Sequence, residues 1–137
     1  EPYSSFGTKL ALSADGNTLA VGAYLEDSAD KGVQPPELRP FLTVPVLDAW
    51  REGTNRADES GATYFYTRTG TTWTQRAYIK ASNAEKGNEF GSSVALSGDG
   101  KTLVVGAHNE ASASKGIDGD QVDNSAEGAG AAYVFSY

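Results

Sequence analysis

The chain has 137 residues, a formal net charge of −7 and a sequence pI of about 4.6. It has no cysteine and one histidine, which excludes a disulfide framework, a thiolate metal site and a His-rich zinc site within one chain. The acidic balance argues against nucleic-acid binding, and no apolar run approaches the roughly 20 residues needed to span a membrane. The composition, rich in Gly, Ser, Thr and Ala, suggests an extracellular or cell-surface protein.

An internal repeat organises the sequence. Phe6-Gly7 and Phe90-Gly91 lie 84 residues apart, and 17 of the 28 paired positions that start there are identical without a gap. The alignment then breaks and resumes at Asn55 and Asn124, because the first copy carries a segment that is longer by 15 residues. The underlying period is therefore 69 residues.

The elements predicted along each copy are β-strands. TKLALS and SSVALS alternate polar and apolar residues, and the Asp-Gly turns in ADGN and GDGK follow them. TLAVGA and TLVVGA are short and nearly all apolar, which is typical of a buried inner strand. ATYFYTRT and AAYVFSY predict a third strand, whereas a fourth strand, TWTQRAYIKAS, occurs only in the first copy.

Four antiparallel strands make one β-propeller blade, so we predict an all-β chain with one full blade and three strands of a second. Residues 1–84 form the first predicted unit, with an inserted loop at about 34–54, and residues 85–137 form the second, without its fourth strand. The last sheet would expose an edge, so other chains or a longer parent chain are expected to complete the propeller. The pattern is already under way at Glu1, which suggests a mature product or a fragment.

The inserted loop differs in kind from the rest of the chain. Its prolines prevent an ordinary central strand, so residues 34–44 are expected to run extended, and PVLDAWREG could form one or two helical turns. This apolar content must be buried somewhere, either on its own blade or against a neighbouring chain or partner. The loop is a natural insertion or an engineered graft. The predicted binding residues are Phe41, Leu42, Val46, Leu47 and Trp50.

The order Phe-Gly, strand, turn and Val-Gly-Ala, found twice, resembles the FG-GAP repeat of integrin-α-type propellers. FGSSVALSGDGKTLVVGAHNE, followed by GAGAAYVF, is most similar to bacterial integrin-like FG-GAP proteins. The resemblance covers nearly the whole chain except about residues 34–54. It implies blades around a central axis, usually about seven, and an extracellular binding or structural role rather than catalysis.

Two departures from the family pattern limit this resemblance. Tyr24 and His108 stand where the family has the Pro of Gly-Ala-Pro. The integrin-type calcium loop, Asp-x-Asp-x-Asp-Gly, is reduced to Asp15-Gly16 and Asp99-Gly100. One carboxylate per turn cannot supply the six to eight oxygens that Ca²⁺ takes, so the integrin calcium site is not carried over to these turns.

The densest group of oxygen ligands lies in IDGDQVDNSAEG. Spaced carboxylates on a loop can bind Ca²⁺, and the same residue types also stabilise loops through hydrogen bonds to the backbone. Both interpretations stay open, and the first copy lacks the three carboxylates, so a calcium site would occur once per chain. The candidate metal ligands are Asp118, Asp120, Asp123 and Asn124.

Other chemistry-bearing residues are interpreted as structural. Glu26 and Glu110 are equivalent in the repeat, and their recurrence favours a capping or turn role over catalysis by a carboxylate pair. His108 is expected at a packing or rim position, and Trp73 in blade packing, with sugar stacking as a minority interpretation. No serine elbow, phosphate loop or nucleotide fingerprint is present in the sequence.

These observations predict a non-enzymatic β-propeller binding and assembly module that associates with itself to complete the propeller. The inserted loop is predicted to contact another chain or a protein partner. The alternatives are a carbohydrate-binding propeller, which would take a glycan ligand, and a Ca²⁺-dependent adhesion propeller. An enzyme fragment is a weaker third hypothesis, because missing blades would have to supply the chemistry.

Overall fold

The computed structural model describes residues 5–27, 33–34 and 58–137, with the backbone alone for residues 33–34. All regular elements in this part of the chain are β-strands, which confirms the prediction of an all-β fold. The strands are β1 (Lys9–Leu12), β2 (Thr18–Ala23), β3 (Val33–Gln34), β4 (Ala62–Thr69), β5 (Thr72–Ile79), β6 (Phe90–Leu96), β7 (Thr102–Ala107) and β8 (Ala131–Ser136).

The strands form two antiparallel sheets. The first sheet has the order β1-β2-β4-β5-β3 and the second has the order β6-β7-β8. All seven strands predicted from the repeat are therefore present, four in the first sheet and three in the second. The two-residue strand β3, which pairs with β5, was not predicted, because two residues are too few to show an alternating pattern.

The two Asp-Gly turns have the same construction. Asp15 Oδ1 accepts hydrogen bonds from Ser13 Oγ at 2.6 Å and from the Asn17 backbone N–H at 3.0 Å. Asp99 repeats both bonds in the second sheet, at 2.6 and 3.1 Å. The glycine after each aspartate has a positive φ of 70° or 71°, a backbone conformation that glycine adopts at little cost. These turns confirm the predicted hairpins.

The hydrophobic core lies between the two sheets. One row of the first sheet, Ala11, Ala20, Phe65 and Ala77, is in register across β1, β2, β4 and β5 and packs into this core. The second sheet contributes the side chains of its other face, at the repeat positions that point away from this core in the first sheet. They are Phe90, Val94, Leu96, Leu103, Val105, Ala107, Tyr133 and Phe135.

Candidate functional site

The two sheets are joined at Phe90-Gly91. The Phe90 N–H donates to the Ser60 carbonyl at 2.9 Å, and the Glu89 N–H donates to the Glu59 carbonyl at the same distance. Phe90 also forms an isolated parallel bridge with Gly61, and its side chain is 0% exposed. The start of β6 is therefore bound to the segment that precedes β4.

Close backbone approach explains two glycines at this junction. A Cβ atom at Gly61 would lie 2.1 Å from the Phe90 carbonyl oxygen, and one at Gly22 would lie 2.3 Å from the Gly91 carbonyl oxygen. No side chain fits at such distances, and backbone atoms cannot rotate away as a flexible side chain could. Gly22 is the glycine of Val-Gly-Ala, so the Phe-Gly and Val-Gly-Ala motifs contact each other across the junction.

The repeat places equivalents of these junction residues elsewhere in the chain, and among the described residues those equivalents do not form a second junction. Phe6, equivalent to Phe90, is 53% exposed. A Cβ atom at Gly7 would have no atom within 4 Å, whereas one at the equivalent Gly91 would lie 2.4 Å from a carbonyl oxygen. A Cβ atom at Gly130, the equivalent of Gly61, would lie 3.3 Å from its nearest atom, the carbonyl oxygen of His108, which directly follows β7 of the same sheet.

The sheet faces show the same asymmetry. Val94 and Leu96 pack into the core, but their equivalents in β1, Leu10 and Leu12, are exposed. Conversely, Phe65 is buried, and its equivalent Val134 is 67% exposed. Each sheet therefore has an exposed apolar area whose equivalent on the other sheet is buried in the core between the sheets. On the first sheet that area is limited to the β1 side, since Val21 and Tyr78 on the same face are buried.

A buried ion pair stabilises the end of the first sheet. Lys80 Nζ lies 2.6 Å from Glu26 Oε2 and donates to Ser60 Oγ at 2.7 Å, and the lysine side chain is 0% exposed. Sequence reasoning missed Lys80. The available signal was a single lysine directly after an apolar strand end, combined with a glutamate that recurs after each Val-Gly-Ala strand.

Glu110, the equivalent of Glu26, has different partners. Its Oε1 accepts a hydrogen bond from Asn83 Nδ2 at 2.9 Å, and its Oε2 accepts from the Ser112 N–H at 3.1 Å and Ser112 Oγ at 2.8 Å. The residue is 1% exposed, and among the described residues no lysine, arginine or histidine forms an ion pair with it. The bonds to Ser112 are those of a turn, as the recurrence of the glutamate predicted.

Tyr133 extends this network. Its hydroxyl donates to Asn83 Oδ1 at 2.5 Å. Burial, followed by the negative charge of Glu110, raises the pKa of Tyr133 to about 12, and the hydrogen bond to Asn83 acts in the opposite direction. The phenol therefore stays neutral over the whole physiological range.

The Asp-rich loop uses its side chains for local hydrogen bonds. Asp120 accepts from the Val122 N–H at 2.9 Å, and Asp123 accepts from the Ser125 and Ala113 N–H groups at 2.9 and 3.2 Å. The bonds from Ser125 lower the pKa of Asp123. Asn124 donates to Glu85, 2.7 Å away, and Asp118 has a φ of 54°.

In the described part of the chain no three His, Cys, Asp or Glu side chains form a group that could hold a metal ion. Calcium binding at Asp118, Asp120, Asp123 and Asn124 stays a prediction. The geometry favours the interpretation in which these side chains stabilise the loop, because both oxygens of Asp123 already accept backbone N–H groups.

All five predicted binding residues lie outside the described residues. They are Phe41, Leu42, Val46, Leu47 and Trp50, and the extended segment and short helix predicted around them lie there too.

Two exposed ring side chains were assigned to packing or rim positions. The His108 side chain is 59% exposed, with Nδ1 3.5 Å from Glu89 Oε2, which agrees with a rim position. Trp73 is more exposed than expected for blade packing, and the Arg68 guanidinium lies 5.4 Å from its ring centroid. The distance is that of a cation–π contact, which the ring makes at the exposed end of β5.

Comparison with known protein families identifies a repeat in this fold. Residues 73–135 match the family model of the FG-GAP repeat, from β5 at its start to β8 at its end. No curated protein and no solved structure shows a significant match to the chain. Residues 73–135 are therefore an FG-GAP repeat, and FG-GAP repeats are typical of β-propeller-type binding modules, which are generally non-catalytic and occur in extracellular or surface proteins. In the described residues, no helix is long and apolar enough to span a membrane.

Proposed function

We propose that this chain is a non-enzymatic, extracellular β-propeller-type module that assembles head to tail with copies of itself. The observation that supports the proposal most directly is the difference between the two Phe-Gly motifs. Phe90-Gly91 is buried against Gly61 and Gly22 inside the chain, whereas Phe6 is exposed and a Cβ atom at Gly7 would have no neighbour within 4 Å.

The repeat itself suggests the geometry of this assembly. In the proposed contact, Phe6-Gly7 of one copy binds at Gly130 of the next copy, as Phe90-Gly91 binds at Gly61. The exposed side chains of Leu10 and Leu12 would then pack against Val134, because their equivalents are in contact in the core. Such a contact joins two different surfaces, so copies are added until a ring closes.

The apolar inserted loop is proposed to make a second contact, with a neighbouring chain or a protein partner. Its apolar side chains, Phe41, Leu42, Val46, Leu47 and Trp50, are numerous for a loop and need a surface on which to be buried. An assembly of this kind requires no catalytic group.

Two complementary variants test the head-to-tail contact. Phe6→Asp damages one surface and Val134→Glu damages the other, and both side chains are exposed within one chain, so both variants are expected to fold. Each variant alone should be a monomer by size-exclusion chromatography with light scattering. An equimolar mixture should form a dimer, because one intact pair of surfaces remains. Ile117→Glu, at an exposed apolar residue of the Asp-rich loop, is the matched control and should assemble like the parent chain.

Two results would contradict the proposal. One is a parent chain that is monomeric throughout. The other is a pair of variants that stay monomeric when mixed although the parent assembles, since that pattern belongs to a symmetric contact between identical surfaces.

A further inference from the structure

Three Asp-Gly pairs occur in the sequence: Asp15-Gly16, Asp99-Gly100 and Asp118-Gly119. In such a pair the backbone nitrogen of the glycine can attack the side-chain carboxyl carbon of the aspartate, because glycine has no side chain to hinder the approach. The reaction needs two free groups, the carboxyl group as the electrophile and the glycine nitrogen as the nucleophile. The hydrogen bonds around each pair therefore decide whether that pair can react.

In the two hairpin turns the fold restrains both groups. The Asp15 carboxylate accepts hydrogen bonds from Ser13 Oγ at 2.6 Å and from the Asn17 N–H at 3.0 Å. The Gly16 N–H donates to the Ser13 carbonyl at 3.0 Å. The second turn repeats all three bonds, at 2.6, 3.1 and 2.9 Å. The bonds to the carboxylates lower the pKa of both aspartates, and the ionised form is the less reactive one, because the reaction expels a carboxyl oxygen as water.

The third pair, in the Asp-rich loop, has neither restraint. Asp118 and Gly119 are both exposed. Within the described part of the chain no group donates a hydrogen bond to the Asp118 carboxylate, and the Gly119 N–H donates to no acceptor. Asp118 also has a φ of 54°, a left-handed backbone conformation that costs an L-residue free energy. Both reacting groups are therefore free at this pair alone among the three.

We propose that Asp118-Gly119 is a site of spontaneous covalent modification, at which the aspartate becomes isoaspartate. The Gly119 nitrogen forms a bond with Asp118 Cγ, and the N–H proton leaves with the carboxyl hydroxyl as water, which gives a succinimide ring. Water then adds to one of the two ring carbonyls. Where it adds to the original main-chain carbonyl, that carbonyl's bond to nitrogen breaks and the backbone runs through the aspartate side chain. The product has the same atoms as the starting chain, so no oxidant, reductant or cofactor is needed.

The modification changes the loop and leaves the sheets as they are. Isoaspartate lengthens the backbone by one methylene group at a point that a hydrogen bond spans, since Ser114 Oγ donates to the Asp120 carbonyl at 2.8 Å. This part of the loop therefore has to rearrange. Asp118 is also one of the four residues predicted to bind calcium, and its carboxyl group changes position in the product. The proposed assembly uses sheet faces, so it and this modification can fail independently.

The test is an ageing experiment on the full chain. The protein is incubated at physiological temperature in mildly acidic buffer for several weeks and is then digested with trypsin, which separates the three pairs because lysines lie between them. Mass spectrometry with electron-transfer fragmentation distinguishes isoaspartate from aspartate in each peptide. Isoaspartate should form at Asp118 at least about tenfold faster than at Asp15 or Asp99, because two or more hydrogen bonds have to break before a turn pair reacts.

Two controls separate the effect of the fold from that of the local sequence. In guanidinium chloride that unfolds the chain, the three pairs should react at similar rates, since glycine follows the aspartate in each. Asp118→Glu keeps the charge but disfavours the five-membered ring, so an isoaspartate methyltransferase should transfer far less labelled methyl to this variant after ageing than to the parent. The proposal is overturned if the folded parent forms no isoaspartate at Asp118 or reacts equally fast in the turns. It is also overturned if the preference persists in the unfolded chain, or if Asp118→Glu is labelled as the parent is.

Discussion

The two sheets place a glutamate at the same position and satisfy it in different ways. In the first sheet Glu26 faces the ammonium group of Lys80, whose side chain is 0% exposed. In the second sheet Glu110 is at least as buried, and its hydrogen-bond donors among the described residues are the neutral groups of Asn83 and Ser112. The difference is caused by one strand, since Lys80 directly follows β5 and the second sheet has no described equivalent of β5. The presence of a neighbouring strand thus decides whether this repeated acid is part of an ion pair.

The Phe-Gly motifs teach the same lesson about neighbouring sheets. Phe90 is buried where it contacts the preceding sheet, whereas Phe6 makes no equivalent contact among the described residues and is 53% exposed. A repeated motif therefore specifies a contact surface, and the neighbour decides whether that surface is buried.

The largest expected difference in stability is between variants that remove the charge of Glu26 or of Glu110. Glu26→Gln leaves Lys80 buried without the carboxylate 2.6 Å away, which should lower the free energy of unfolding by about 3–5 kcal/mol. Glu110→Gln replaces hydrogen bonds from neutral donors and should cost about 1 kcal/mol. Urea unfolding at one fixed protein concentration measures both. Equal losses would show that the two acids are not satisfied differently.

The next effect concerns the two equivalent glycines. Gly61→Ala places a Cβ atom 2.1 Å from the Phe90 carbonyl oxygen and should cost at least about 2 kcal/mol, because backbone must move. Gly130→Ala should cost about 1 kcal/mol, mainly from its positive φ of 78°, because a Cβ atom there would lie 3.3 Å from the nearest atom. Thermal unfolding of the two variants measures the difference.

Gly130→Ala also tests the proposed contact between copies. If Gly130 contacts the next copy as proposed, the variant should fold but assemble less well than the parent. A folded Gly130→Ala chain with the mass of the parent assembly would argue against that contact.

A smaller effect is expected at high pH. The pKa of Tyr133 is raised to about 12, so the folded state favours the neutral phenol. An unfolded tyrosine ionises near pH 10, so the stabilisation is complete below about pH 10 and is lost as the pH rises towards 12. Absorbance titration should show a tyrosine step near pH 12 that Tyr133→Phe lacks. A step that persists in Tyr133→Phe would contradict the assignment.

The smallest effects are expected at the two Asp-Gly turns, where the sheets do not differ. Hydrogen bonds from Ser13 and Ser97 lower the pKa values of Asp15 and Asp99. Their contribution to stability is therefore present above the pKa of unfolded aspartate, about 3.9, and is lost as the pH falls below it. Asp15→Ala and Asp99→Ala should reduce the melting temperature slightly and to a similar extent, and clearly unequal shifts would break the equivalence of the turns.

Most of the fold could be predicted from the sequence, because strands and hairpin turns are specified by residues close together in the chain. Alternation and the Asp-Gly turns predicted the hairpins around Asp15 and Asp99, and the aligned copies predicted the strand count of each sheet. The two-residue strand β3 escaped detection because it depends on pairing with β5, a contact between residues distant in sequence.

The contacts of the site were less predictable, because they depend on neighbours that the repeat pattern does not name. Recurrence singled out Glu26 and Glu110 but not their partners, since Lys80 lies 54 residues from Glu26 in the chain. The carboxylates of the Asp-rich loop, by contrast, had two physical uses, and sequence spacing alone could not choose between metal binding and hydrogen bonding to the loop backbone.

The mass of the particle in solution tests the central claim, that the open faces of this chain bind the matching faces of further copies. Sedimentation velocity over a wide range of concentrations should give a species of several chains that dissociates on dilution and is absent for Phe6→Asp. A stable species of 14.4 kDa, the mass of one chain, at every concentration would contradict the claim.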